Sequence, residues 1–256
     1  MQKPQLSVHK WRVLPFTIAP QQYHIDLSEQ LLKEALPGEP AKLYWSQAET
    51  RGVVLGFSQK QSVLNQAALI TQPMPLYHRR AGGTAVLVGP EILSLDVILP
   101  AKHPFILADI VESYRWLGTV WVKTLGSLGV ETRLVSPQEA HALQTLLKQE
   151  GARGREAILS RACFGSFSSY EVVANERKVV GLDMIRRRTG SLLQAGLLLK
   201  WDIEPLVELL GHTPEEQTIL REGLPERAVG LDTLTGRKIS VMEVISAFEE
   251  SLSTMD

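Results

Sequence analysis

The chain has 256 residues, 44% of them apolar and 21% charged, with a net charge of −1, which is the composition of a folded protein with a sizeable core and excludes a disordered chain or a general nucleic-acid binder. Its single cysteine excludes an internal disulfide and a cysteine-built zinc site. The opening MQKPQLSVHKWRVLPF has no apolar stretch of signal-peptide length and no later run approaches a membrane span, so a reducing cytoplasm is the expected compartment.

Tyr23 to Ala35 reads as a helix, with Ile25, Leu27, Leu31 and Leu32 on one side and Pro37-Gly38 as its stop. KLYW (42–45) and GVVLGF (52–57) read as strands, and Ser62 to Leu69 as a short helix. LYHRR (76–80) alternates up to Gly82-Gly83; TAVLV (84–88) and ILSLDVIL (92–99) are the next strands, joined at Gly89-Pro90. Ile106 to Leu128 has helical spacing and VETRLV (130–135) reads as a strand. Ser136 with Glu139 forms a capping box. Gly151 to Arg155 reads as a loop.

YEVVA (170–174) and RKVVGL (177–182) flank Asn175-Glu176 as a hairpin. Arg186 to Gly190 reads as a basic turn before the strand SLLQAGLLL (191–199). Helices follow over Glu204–Leu210, Pro214–Glu222 and Ser240–Leu252, the last with a Ser240–Glu243 capping box. Strands outnumber crossover helices and many are joined by short turns. The expected class is therefore α+β with a mixed, largely antiparallel sheet, residues 1–200 forming the main domain and 201–256 a helical extension packed on it.

Three places carry chemistry. Cys163 lies in a loop with Arg161, Arg177 and Lys178 nearby in sequence. It is either a small core residue or a thiol whose acidity is raised by positive charge, with Lys178 as its base or electrostatic partner. The run Arg79-Arg80-Ala81-Gly82-Gly83-Thr84 is either a tight turn with solvated arginines or a segment whose glycines let the backbone approach an anion or a carbonyl oxygen. The charges Arg186, Arg187 and Arg188 are either a solvated face or a rim for an acidic or phosphate-bearing partner. The six histidines have no metal-ligand spacing.

These segments, in this order, resemble the lipoate–protein ligase and lipoyl(octanoyl)transferase family, which shares its catalytic fold with biotin–protein ligases. The resemblance runs from about Tyr23 to Leu199 and rests on HIDLSEQLL, KLYW followed by GVVLGFSQ, RRAGGTAVLVGPEILSLDVILP, and ACFGSFSSYEVVANERKVVGLDMIRRRTGSLLQAGLLL. The last run is similar to the cysteine-dependent octanoyl-[acyl carrier protein]:protein N-octanoyltransferase branch of Gram-positive bacteria. That resemblance implies octanoyl or lipoyl transfer from acyl carrier protein through a Cys163 thioester to a lysine of a lipoyl domain, in the glycine cleavage H protein or an E2 subunit. Lys178 falls on the family's site lysine. Arg79, Arg80, Gly82, Gly83, Thr84, Val86, Gly181 and Arg187 fall on its substrate-binding segments.

On this reading the transfer needs no cofactor, and neither nucleic acid nor membrane is a partner. The alternatives are an ATP- and Mg-dependent lipoate–protein ligase and a non-catalytic acyl- or partner-binding member. Val54, Val86 and Val180 are candidates to line an acyl tunnel. The chain departs from the family at Val88 and Ala195, where it has histidines, and at Leu182-Asp183-Met184 and Leu197, so polar groups at the acyl end are replaced while Asp183 adds a negative charge.

Overall fold

The computed structural model describes residues 11–151 and 154–255; the readings of the first ten residues and of the middle of the 151–155 loop lie outside these. Strands β1 (Trp11–Ala19), β2 (Ala41–Ala48), β6 (Ile92–Pro100), β7 (Arg133–Leu134), β8 (Val172–Ala174), β9 (Arg177–Arg187) and β10 (Gly190–Leu198) form a seven-stranded sheet in the order β1-β2-β6-β10-β9-β8-β7. A three-stranded sheet, β4-β3-β5, comprises β3 (Gly52–Leu55), β4 (Leu76–His78) and β5 (Val86–Val88). Only β1 with β2 and β3 with β4 run parallel; the other pairs are antiparallel. The helices are α1 (Gln21–Lys33), α2 (Gln66–Thr71), α3 (Glu112–Ser127), α4 (Pro137–Glu150), α5 (Arg155–Leu159), α6 (Glu204–Leu210), α7 (Pro214–Arg227), α8 (Leu231–Thr235) and α9 (Val241–Ser253). The α+β class with a mixed, largely antiparallel sheet is as expected. None of the described helices is long and apolar enough to cross a membrane.

The large sheet separates two environments by the period-two alternation of its strands. Leu43 and Trp45 of β2, Leu93, Leu95, Val97 and Leu99 of β6, and Leu193 and Leu197 of β10 face the main core. There α3 and α9 cover them, with Trp45 edge-on to both Trp121 and Phe248. The intervening residues face the other way, against α1 and the small sheet. Helices α6 and α7 close a second core in which Leu206, Leu210, Leu220 and Leu224 meet Leu55, Leu64, Leu87 and Leu159. Residues beyond 200 thus share cores with residues before it.

Both capping boxes form: Ser136 with Glu139 opens α4 and Ser240 with Glu243 opens α9. The hairpin turn forms with Asn175 and Glu176 both at positive φ, 49° and 60°, the geometry of a tight two-residue turn. Several elements differ from expectation. β1 went unread because Pro15 interrupts its alternation; the strand sits at the sheet edge, where proline is tolerated, with a register shift between Leu14 and Thr17. The long helix starts at Glu112, not Ile106, because the Asp109 carboxylate accepts from the Val111 and Glu112 amides and sets its start there. β9 continues through the basic run as far as Arg187, so the turn is only Arg188-Thr189. VETRLV contributes just a two-residue strand.

Candidate active site

A cavity of about 120 Å³ lies between the inner face of the large sheet, the N-terminal half of α1 and the small sheet. Register builds its floor. Tyr44, Asp96, Gln194 and Asp183 are direct cross-strand neighbours over β2, β6, β10 and β9, and Ser46, Ser94, Gly196 and Gly181 form the next rung on that face. Val54, Val86, Val88, Ile92 and Phe164 supply the apolar walls. Gly181 and Gly196 keep the floor open: a methyl group on either would touch the Phe164 ring, at 3.4 and 3.9 Å.

Cys163 lies in this wall, partly exposed, at the start of a 3₁₀ turn spanning Cys163–Gly165. The turn is pinned on both sides. The Cys163 amide donates to the Ala85 carbonyl at 2.8 Å and the Ala85 amide to the Arg161 carbonyl at 3.1 Å. Arg161 makes a bidentate pair with Glu216 and donates to the Leu210 carbonyl, so the thiol loop is anchored on α6 and α7. This guanidinium holds the Glu216 carboxyl down to about 2.

Lys178 stands behind the thiol and does not line the cavity. It is 1% exposed, pairs with both oxygens of Glu171 at 2.9 and 2.8 Å, and donates to the Cys163 carbonyl at 2.8 Å. Glu171, itself 2% exposed, also accepts from the Ser168 and Leu182 amides. It is therefore the internal counter-ion that makes a buried lysine tolerable. Sequence reading passed over it, although the pattern of a carboxylate in an otherwise apolar YEVVA strand was there to be used.

The cation that lines the cavity with the thiol is Arg79. It donates to the carbonyls of Gly82 and Thr84, at 2.9 to 3.1 Å, and its Nε lies 3.4 Å from Asp183. Gly82 and Thr84 thus act through backbone oxygens that hold the guanidinium. Gly83 has φ +82°, and a methyl group there would lie 2.6 Å from Arg79 Nη2 and 3.8 Å from Cys163 Sγ. Gly56 packs against it so closely that an added Cβ would sit 2.0 Å from the Gly83 carbonyl oxygen. Gly83→Ala is accordingly expected to displace Arg79, to cost about 1–3 kcal/mol through the disfavoured backbone, and to slow alkylation of Cys163. Thermal unfolding together with iodoacetamide kinetics checks this, and wild-type values in both would refute it.

The remaining candidates separate. Val86 and Gly181 line the cavity, as does Val54, but Val180 is wholly buried in the main core. Arg80 pairs with Glu29 and, with Arg187 and Arg188, lines a different surface pocket. Arg186 is not a rim residue: it turns inward and donates to Ser113 Oγ and the Ala108 carbonyl. Of the departures from the family pattern, Val88 and Asp183 line the cavity; Leu182 and Ala195 border it but, like Leu197, belong to the main core.

Sequence reading missed the polar side of the floor. Asp96 is 5% exposed and accepts from Ser28 Oγ and from Gln194 Nε2. Burial pushes its carboxyl up to about 6 against those hydrogen bonds. Burial raises Asp183 to about 6 as well, opposed by Arg79. His24 donates from Nε2 to the Gln47 carbonyl and meets Tyr44 Oη through Nδ1; burial lowers its pKa. A carboxyl whose pKa rises on folding keeps a proton that the unfolded chain has released. Stability therefore falls as pH climbs from about 4 to about 6, by at most about 3 kcal/mol from Asp96. Asp96→Asn is expected to flatten that slope by about half, the rest belonging to Asp183; urea unfolding across that window is the check, and an unchanged slope would refute it.

Comparison with known proteins agrees with this architecture. The family model for the lipoyl protein ligase A/B catalytic domain matches residues 20–253. The chain is similar to octanoyltransferase LipM of Exiguobacterium sp., at 28% identity over 93% of this chain and 84% of that protein. It is also similar to octanoyltransferase LipM of Clostridioides difficile, at 34% identity over 64% of this chain and 56% of that protein. Among solved structures, a bi-partite lipoate protein ligase from Thermoplasma acidophilum superposes with TM-score 0.74 at 18% identity, covering 95% of this chain and 82% of that one. A lipoate-protein ligase A bound with ATP gives TM-score 0.68 at 19% identity, covering 95% and 84%. The chain belongs to the lipoyl protein ligase A/B catalytic-domain family.

Proposed function

We propose that the protein is an acyltransferase of protein lipoylation that moves an octanoyl or lipoyl group from acyl carrier protein to Cys163 and then to a lysine of a lipoyl domain, in the glycine cleavage H protein or an E2 subunit. The observation that carries this reading is the position of the chain's single thiol in the wall of a cavity with apolar sides, across Gly83 from the Arg79 guanidinium. The similarity to proteins named octanoyltransferase supports it.

The chemistry follows from the residues. The Cys163 thiolate attacks the donor's thioester carbonyl, the carbonyl–sulfur bond breaks, and the carrier thiol leaves with a proton. One thioester replaces another, so the step needs no ATP. The neutral amine of the acceptor lysine then attacks the acyl-enzyme, an amide forms, and the Cys163 thiolate is released while the amine loses a proton to solvent. Arg79 is placed to stabilise negative charge at the sulfur and on the carbonyl oxygen. Lys178 is a positioning residue, holding the Cys163 carbonyl from behind.

The test is intact-protein mass after incubation with octanoyl-acyl carrier protein in the absence of ATP. One hydroxylamine-labile octanoyl adduct, discharged by an apo lipoyl domain, is the expected result. No adduct, together with pyrophosphate exchange that needs ATP, Mg²⁺ and free lipoate, would replace this reading with the ligase one, which the ATP-bound structural neighbour keeps in view.

A further inference from the structure

A basic surface forms where three distant segments meet. Lys33 ends α1, Arg80 follows the cavity arginine, and Arg187 and Arg188 lie at the β9–β10 turn; together they line a pocket floored by Leu32, Ile185 and Leu192. All four cations are exposed. Arg80 is paired with Glu29; Lys33, Arg187 and Arg188 have no carboxylate partner among the described residues. Three cations gathered without a carboxylate partner beside a fourth, on a chain of net charge −1, are held at a cost in self-repulsion, which a negatively charged partner relieves.

The position of the patch selects the partner. Along β9, Gly181 and Asp183 line the cavity and Arg187 is four residues farther out on the same face, about 13 Å away at roughly 3.3 Å per residue. Along α1, His24 lines the cavity and Lys33 stands at the far end, again about 13 Å away at roughly 1.5 Å per residue. A lysine side chain, with a reach of about 6 Å on its four-carbon stem, does not span that gap. A carrier whose acyl group hangs on a long flexible arm does.

We infer that the surface of Lys33, Arg80, Arg187 and Arg188 docks the acidic face of the acyl-donating carrier protein, and that the lipoyl domain approaches the cavity elsewhere. This rests on the thioester-transfer reading of Cys163. Steering of this kind acts mainly on encounter and is screened by salt.

Lys33→Glu with Arg188→Glu tests it. Two quantities are measured on wild type and on the double variant: the Kd for octanoyl-acyl carrier protein at low and high salt, and the rate of Cys163 acylation by octanoyl-N-acetylcysteamine, a thioester with no protein attached. The expected result is a loss of about ten-fold or more in carrier affinity at low salt, a flattened salt dependence, and a small-thioester rate within about two-fold of wild type. Carrier affinity equal to wild type, loss of lipoyl-domain binding instead, or no carrier binding by the wild type would each overturn the assignment. Failure of the underlying reading shows differently, as carrier binding with no adduct from the small thioester.

Discussion

Cys163→Ser is expected to abolish the covalent adduct from an octanoyl thioester and to lower acyl transfer by about a thousand-fold or more. A thiol reaches its nucleophilic, ionised form near neutral pH with only a cation beside it; a serine hydroxyl needs a general base. The carboxylates that line this cavity are already engaged, Asp183 beside Arg79 and Asp96 with Ser28 and Gln194. His24 is engaged with Tyr44 and the Gln47 carbonyl, and an arginine guanidinium offers no acceptor for a proton. The substitution is also nearly isosteric and leaves the hydrogen bond from the backbone N–H of residue 163 to the Ala85 carbonyl in place, so the melting temperature should stay within about 2 °C. Loss of transfer with the fold intact therefore reports the chemistry. Adduct mass, single-turnover transfer to a lipoyl domain and thermal unfolding on the same preparation settle it. A serine variant that still transfers octanoyl from the carrier would remove Cys163 from the reaction, and one that retains only ATP-dependent transfer would point to the ligase route.

Much of this site was legible because its parts are local in sequence. The cysteine loop, the arginine–glycine run and the β8–β9 hairpin each carry turn chemistry or charge that stands out along the chain, and ILSLDVIL and SLLQAGLLL were legible as strands. The faces were the under-used signal. Ser94, Asp96 and Gln194 are polar residues in otherwise apolar strands, and alternation alone puts them opposite Leu93, Leu95 and Leu193, away from the main core. Pairing register then aligns Asp96 and Gln194 with Asp183 across the cavity floor, and no local pattern encodes register between strands so far apart in sequence. The same limit explains the basic patch: Arg187 and Arg188 are a visible run, but Lys33 arrives through the packing of α1 on the sheet and Arg80, from the loop after β4, through its pair with Glu29 of that helix. It also explains Lys178, whose neighbours in sequence suggested a cation beside the thiol. The parity of β9 instead turns it inward onto Glu171, leaving its bond to the Cys163 carbonyl as the link to the thiol loop.

That inward turn leads to the second large effect. Lys178→Met is expected to destabilise the fold by about 3–5 kcal/mol, because it leaves the Glu171 carboxylate buried with its principal counter-charge gone. The loss should not reflect the net worth of the ion pair, which balances attraction against the desolvation of two charges. The double variant Lys178→Met with Glu171→Gln is therefore expected to recover about half or more of the stability. The neutral amide oxygen still accepts from one of the Ser168 and Leu182 amides that Glu171 now serves. This pair of variants also separates positioning from activation. With Glu171 contacting Lys178 through both carboxylate oxygens, the ammonium's field at the thiol is largely cancelled, and the cation left to act on the sulfur is Arg79. The pH profile of Cys163 alkylation in the double variant should then overlay that of wild type, while the rate of acylation falls because the Cys163 carbonyl has lost its donor and the turn it anchors loosens. A profile displaced upward by about one pH unit or more would show that Lys178 acts on the thiolate itself, and the positioning role assigned to it would be withdrawn.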